Sequence, residues 1–237
     1  FSDDFEVKTA ANGQQGMEQA LSCIPDIVVS DIMMPIMNGI TMCKMLKEDV
    51  RTSHIPIILL TAKDSLQDKE EGYQVGADSY LTKPFSATLL HSRINNLLES
   101  RKRLAERLNT NTPHHNMDEK RALLADSLNK LDNEFLEKIN RLIEDRLSSE
   151  KIDIGYLADN MCMSKSTLYR KMKALTGLST NEYVRKIKMQ YAERLLLEGR
   201  YNVSEIAFRV GINSVVYFRQ CFKEEFGVLP SDYLKQP

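Results

Sequence analysis

Three residues of reactive type each follow an apolar run. Ile27-Val28-Val29-Ser30 leads to Asp31, Ile57-Ile58-Leu59-Leu60 leads to Thr61, and Tyr80-Leu81-Thr82 leads to Lys83, with Pro84 next. An acid, a hydroxyl and an amine together form a polar, ligand-binding set. Carried at the carboxyl ends of parallel strands, they would converge on one sheet edge, which is where open α/β sheets bind ligands. The spacing therefore predicts a signal-receiving site in the first hundred residues.

The elements that must position these groups are short segments rich in Val and Ile. Strands are expected at Glu6–Ala10, Asp26–Asp31, Pro56–Ala62 and Ser79–Thr82, alternating with helices at about 14–21, 40–48, 65–75 and 86–99. Such alternation implies a parallel sheet covered on both faces. Pro25-Asp26 and Gly76-Ala77-Asp78 supply turn chemistry at strand entrances.

This segment resembles the receiver domain of bacterial response regulators. The resemblance rests on Asp31, Met34-Pro35, Gly39, Leu60-Thr61-Ala62 and the run Gly76-Ala77-Asp78-Ser79-Tyr80-Leu81-Thr82-Lys83-Pro84-Phe85, with spacings of 30 and 52 residues from Asp31 to Thr61 and Lys83. It implies a flavodoxin-like α/β fold in which Asp31 is the phosphoacceptor, attacking a phosphoryl donor as a carboxylate. It further implies that Lys83 pairs with the phosphoryl oxygens, that Thr61 hydrogen-bonds one of them, and that Tyr80 is the aromatic switch. Mg²⁺ would bridge Asp31, the phosphoryl group and the backbone carbonyl of Met33.

One departure from the family pattern matters. The family's Mg²⁺ site also uses an acidic pair at the end of a first strand, and only 30 residues precede Asp31. Glu6–Ala10 resembles the second strand. Asp3 and Asp4 precede it and are rejected as the pair. The expectation is thus a receiver without its first strand, in a fragment of a longer protein, with Mg²⁺ held weakly or not at all.

Overall charge of −1 hides a polarity. Residues 1–100 carry 8 Lys+Arg against 14 Asp+Glu, residues 101–150 carry 10 against 10, and residues 151–237 carry 14 against 9. An acidic front and a basic rear point to a polyanion partner for the rear alone. Scattered Cys23, Cys43, Cys162 and Cys221 offer no Cys-x-x-Cys pair and fit reduced thiols in a cytoplasm. No apolar stretch reaches the roughly 18 residues that span a bilayer, so no membrane contact is expected of this segment.

Three domains are expected: a receiver at 1–100, a helical connector at 101–149 and a DNA-binding domain at 150–237. Leu97, Leu104 and Leu108 give a heptad-like stripe on an extension of the receiver's last helix. Asn109–Asn116 is polar and contains Pro113, so it is expected to be a linker, with His114-His115 an exposed loop rather than a metal site. Helical periodicity resumes from Met117 to Leu147.

The rear contains a repeat. Ile154-Gly-Tyr-Leu-Ala158 matches Val203-Ser-Glu-Ile-Ala207 at an offset of 49, while Leu168, Met172, Gly177 and Tyr183 match Phe218, Phe222, Gly227 and Tyr233 at an offset of 50. The one-residue change falls between the two helices of each copy. Each copy reads as a helix, a tight turn and a second helix capped by Ser164 or Ser214. That is a helix-turn-helix, whose second helix enters the DNA major groove. Two units joined by a helix at about Asn181–Leu197 resemble the DNA-binding domain of AraC-type activators. The resemblance rests on Ile206-Ala207, Val210-Gly211, Tyr217-Phe218, Phe222-Lys223, Phe226-Gly227 and Pro230-Ser-Asp-Tyr233. Ile212, Val216 and Leu234 depart from it.

Helical geometry leaves Lys165, Ser166, Tyr169, Arg170 and Lys173 outward in the first unit, and Val215, Val216, Arg219 and Gln220 outward in the second. Arg170 and Arg219 suit guanine, Gln220 suits adenine, and Val216 suits a thymine methyl. Ser164 and Ser214, with adjacent amides, suit phosphates.

Together these features predict a phosphorylation-regulated, sequence-specific transcription regulator of a two-component system. Its expected partners are promoter DNA, a histidine kinase as phosphodonor, RNA polymerase and a second copy. The chain itself is not expected to be an enzyme, and a hybrid histidine kinase as its parent is left open by the sequence. The alternative is a constitutive DNA-binding protein whose receiver remnant only mediates dimerisation.

Overall fold

In the computed structural model the described residues are 4–62, 75–109, 129–148 and 152–233, with side chains 107–109 excepted. The chain divides into two compact units, one of residues 1–107 with 129–132, the other of residues 108–128 with 133–237.

The first unit is a three-stranded parallel sheet of β1 (Val28–Asp31), β2 (Ile57–Thr61) and β3 (Ser79–Thr82), in that order. Side chains alternate across β2 as a two-sided buried strand requires. Ile57 and Leu59 pack on one face with Ala20, Met42, Cys43 and Leu46, which belong to α1 (Gly13–Cys23) and α2 (Gly39–Glu48). Ile58 and Leu81 pack on the other face with Ile94 of α3 (Ala87–Asn109). Asn12 and Asn38 cap α1 and α2, their side-chain oxygens accepting from the backbone amides of Gln15 and Thr41. Burial pushes the Cys43 thiol up to about 11, so it is a neutral core residue.

One expected strand is absent. Glu6–Ala10 is described but forms no strand. A strand in a parallel sheet needs a neighbour to take its hydrogen bonds, and among the described residues β1 is bonded only to β2. The expected helix at 65–75 and the Asn109–Asn116 linker fall almost wholly outside the described residues. Of the Met117–Leu147 helix, Lys130–Glu144 (α4) is described.

The second unit is helical: α4 from Asn133 on, α5 (Ile154–Asn160), α6 (Lys165–Thr176), α7 (Thr180–Glu198), α8 (Val203–Arg209), α9 (Val215–Phe226) and α10 (Pro230–Tyr233). The α5–α6 and α8–α9 pairs are the two expected repeats. The turn between α5 and α6 runs Met161–Ser164, and that between α8 and α9 runs Val210–Ser214, so the second carries the extra residue. Both second helices stop at a glycine in the left-handed region, Gly177 with φ 70° and Gly227 with φ 78°. No helix among the described residues is long and apolar enough to cross a membrane.

Candidate functional site

The first candidate site lies at the carboxyl edge of the sheet. Asp31 is the last residue of β1 and pairs in register with Leu60, the residue before Thr61. Thr61 ends β2 opposite Thr82, the residue before Lys83. Backbone bonds lock the three ends together, Ile32 N donating to Leu60 O at 3.1 Å and Lys83 N to Thr61 O at 2.8 Å. Lys83 Nζ donates to Asp31 Oδ2, so the acid and the amine 52 residues apart are in contact. Both side chains are partly open to solvent, as a group awaiting a ligand must be. Asp31 Oδ1 also accepts from the Met33 amide at 3.3 Å. Thr61 is buried, its hydroxyl donating to Ala62 O at 3.2 Å. Tyr80 is half-buried on the α1–α2 face, with its hydroxyl shielded from solvent.

Gly39 sits under this edge. Its amide donates to Ile32 O at 3.0 Å, and a Cβ placed on it would stand 2.1 Å from the Asp31 carbonyl oxygen. Gly39→Ala must therefore push α2 away from β1. The expected cost is about 1–3 kcal/mol, as for other overpacked sites; an unchanged urea midpoint for this variant would refute the close approach.

Among the described residues no group of three His, Cys, Asp or Glu is placed to hold a metal ion. Asp4, set aside from the sequence, pairs with His91 at 3.2 Å, while Asp3 lies outside the described residues. Among the described residues Asp31 is the carboxylate at this edge, and it already carries the Lys83 ammonium as counter-ion. Mg²⁺ demands six oxygens in octahedral array. Asp31 and the Met33 carbonyl would fill two of those positions and leave the others to water.

The second candidate site is the pair of helices that would meet DNA. Ser164 caps α6, its hydroxyl accepting from the Thr167 amide at 3.1 Å, and Ser214 caps α9 in the same way through Tyr217 at 3.3 Å. Lys165, Ser166, Tyr169, Arg170 and Lys173 are all exposed, and Leu168, Met172 and Leu175 are buried, as helical spacing requires. On α9, Val216, Arg219 and Gln220 are exposed, while Phe218 and Phe222 are buried. Val215 corrects the expectation. It is half-buried and packs on the core of Phe218 and Phe222, being one turn before Phe218. Its neighbour Val216, 76% exposed, is the apolar group offered to solvent.

Sequence reasoning missed two features of this unit. Lys171 lies between Arg170 and Met172 yet is fully buried, its ammonium 4.9 Å from the centre of the Phe135 ring. Such a cation–π contact offsets part of the desolvation cost, but its partner is 36 residues away and no local pattern announces it. Arg185 of α7 is the other. It reaches Glu224 of α9 at 3.6 Å.

Residues 2–95 match the family of response regulator receiver domains, and residues 157–236 match a helix-turn-helix domain family. The protein named Histidine kinase P4 from Formosa agariphila is 35% identical over 230 residues, which is 97% of this chain and 16% of that protein. Response regulator PleD of Caulobacter vibrioides is 42% identical over 39% of this chain and 20% of its own length. The chain thus spans a fifth or less of these relatives. Among solved structures, the C-terminal domain of AraT, a response regulator from Geobacillus stearothermophilus, is 30% identical over 43% of this chain and 84% of that one, with a TM-score of 0.39. The chain is a response regulator receiver domain followed by an AraC-type helix-turn-helix domain.

Proposed function

We propose that this chain is the receiving and DNA-binding part of a two-component transcription regulator, controlled by phosphorylation at Asp31. The observation that carries this reading is the contact of Asp31 with Lys83 at the carboxyl edge of a parallel sheet, in a chain that also holds two helix-turn-helix units. Asp31 is the nucleophile, Lys83 neutralises charge on the incoming phosphoryl group, and Thr61 and Tyr80 register its arrival. A histidine kinase is the phosphodonor. The receiver spans residues 1–100, the connector 101–149 and the DNA-binding domain 150–237. Phosphorylation favours a dimer on promoter DNA, where the regulator meets RNA polymerase in the cytoplasm.

On the DNA side, the bases are read from α6 and α9. Ser164 and Ser214 hold phosphates, Lys165, Ser166, Tyr169 and Lys173 flank the first contact, and Arg170, Arg219, Gln220 and Val216 reach base edges. Two recognition helices on one chain read major-groove segments about one turn, ~34 Å, apart. Arg170→Ala is expected to cost about 1–3 kcal/mol on the specific site and far less on a scrambled duplex. Equal weakening on both duplexes would reduce Arg170 to a phosphate contact.

A further inference from the structure

On α9, Gln220 does not extend freely toward solvent. Its Nε2 donates to Glu224 Oε1 at 3.0 Å, one helical turn further on. Glu224 is in turn held from outside the helix, because Arg185 Nη1 of α7 lies 3.6 Å from its Oε2. The Tyr217 phenol interacts electrostatically with the same guanidinium, so one arginine serves the flank of α9 that carries Gln220.

The chemistry of this arrangement is directional. An ionised carboxylate only accepts hydrogen bonds, so the side of the Gln220 amide that faces Glu224 must be its nitrogen. That fixes which way round the amide sits. Its oxygen and its second N–H are left for a ligand. Adenine presents an acceptor at N7 and a donor at N6 in the major groove, and a glutamine amide reads both at once. A bare carboxylate on a DNA-facing helix would repel phosphates, and the Arg185 guanidinium offsets that charge.

We infer that Glu224, held by Arg185, is a positioning residue that fixes the Gln220 amide in the orientation that reads adenine. This rests on the reading of α9 as a recognition helix. Glu224 touches no base. It acts by sparing the amide a rotational search when DNA arrives.

The test enriches binding sequences from a random duplex library with the full chain and its variants. Kd is then measured on the selected duplex and on each single-base change of it. Gln220→Ala is expected to erase an adenine preference at one position. Glu224→Ala is expected to lower the preference at that same position about five-fold or more, with other positions and the melting temperature unchanged. Glu224→Gln keeps a side-chain oxygen that accepts from Gln220 and is expected to restore most of the preference. An undiminished preference in Glu224→Ala overturns the inference, as does equal weakening on every duplex. A Gln220→Ala variant that moves no base preference overturns it too. If the unaltered chain enriches no sequence, the recognition-helix reading falls with it, an outcome distinct from a failure confined to Glu224.

Discussion

Asp31→Asn is expected to abolish phosphorylation of the protein completely. Intact mass after incubation with acetyl phosphate and Mg²⁺ should show one added phosphoryl group on the unaltered protein and none on the variant. The substitution keeps the shape of the side chain and removes the nucleophilic oxygen and its charge. It also strips Lys83 of the carboxylate to which it donates. Among the described residues nothing at this edge replaces either loss. Thr61 is buried with its hydroxyl turned to Ala62 O, so it offers no second acceptor in the position of Asp31. An adduct of unchanged stoichiometry on Asp31→Asn would mean that the phosphoacceptor lies elsewhere, and the receiver would then serve DNA binding only as an interaction surface.

The second large effect concerns Phe222. It is fully buried in the core of the second helix-turn-helix, together with Phe218, Ile206, Ala207 and Val210 and with Met189, Ala192, Leu195 and Leu196 of α7. Its ring stands 4.5 Å from that of Phe226 and 5.5 Å, edge-on, from that of Tyr233. Truncation of such a side chain removes both apolar burial and aromatic contacts, and it leaves a cavity that the surrounding helices fill only in part. Phe222→Ala is therefore expected to cost about 3–5 kcal/mol, a large share of the roughly 5–15 kcal/mol that holds a typical domain folded. Urea denaturation followed by helical circular dichroism measures it. A loss below about 1 kcal/mol would mean that α9 is not anchored through this ring. DNA binding should fall with stability, since Arg219 and Gln220 are displayed by the helix that Phe222 pins.

Much of this molecule could be read from its residues in order. The ends of β1, β2 and β3 were legible because a short apolar run that stops at a polar residue marks both a strand and its carboxyl edge. The two turns of the rear unit were legible because the repeat lines up everywhere except at one inserted residue, and a turn is where the chain tolerates it. Glu6–Ala10 was misread for a physical reason. Strand propensity describes a segment, whereas a strand in a sheet exists only through its neighbour. Val215 was misread because the first residue of a helix has a face that depends on what the incoming turn lets it touch. Lys171 and the Arg185–Glu224 pair lay beyond local pattern altogether, since each depends on a partner more than 35 residues distant.

The core around Phe222 has one more property. Among the described residues it draws on α7, α8, α9 and Tyr233 and on nothing from α5 or α6. The two helix-turn-helix copies thus share a connecting helix but not a hydrophobic centre. Cooperative units of folding follow such boundaries, each opening with its own free energy. The Phe222 core is one such unit, distinct from the packing of α5 on α6.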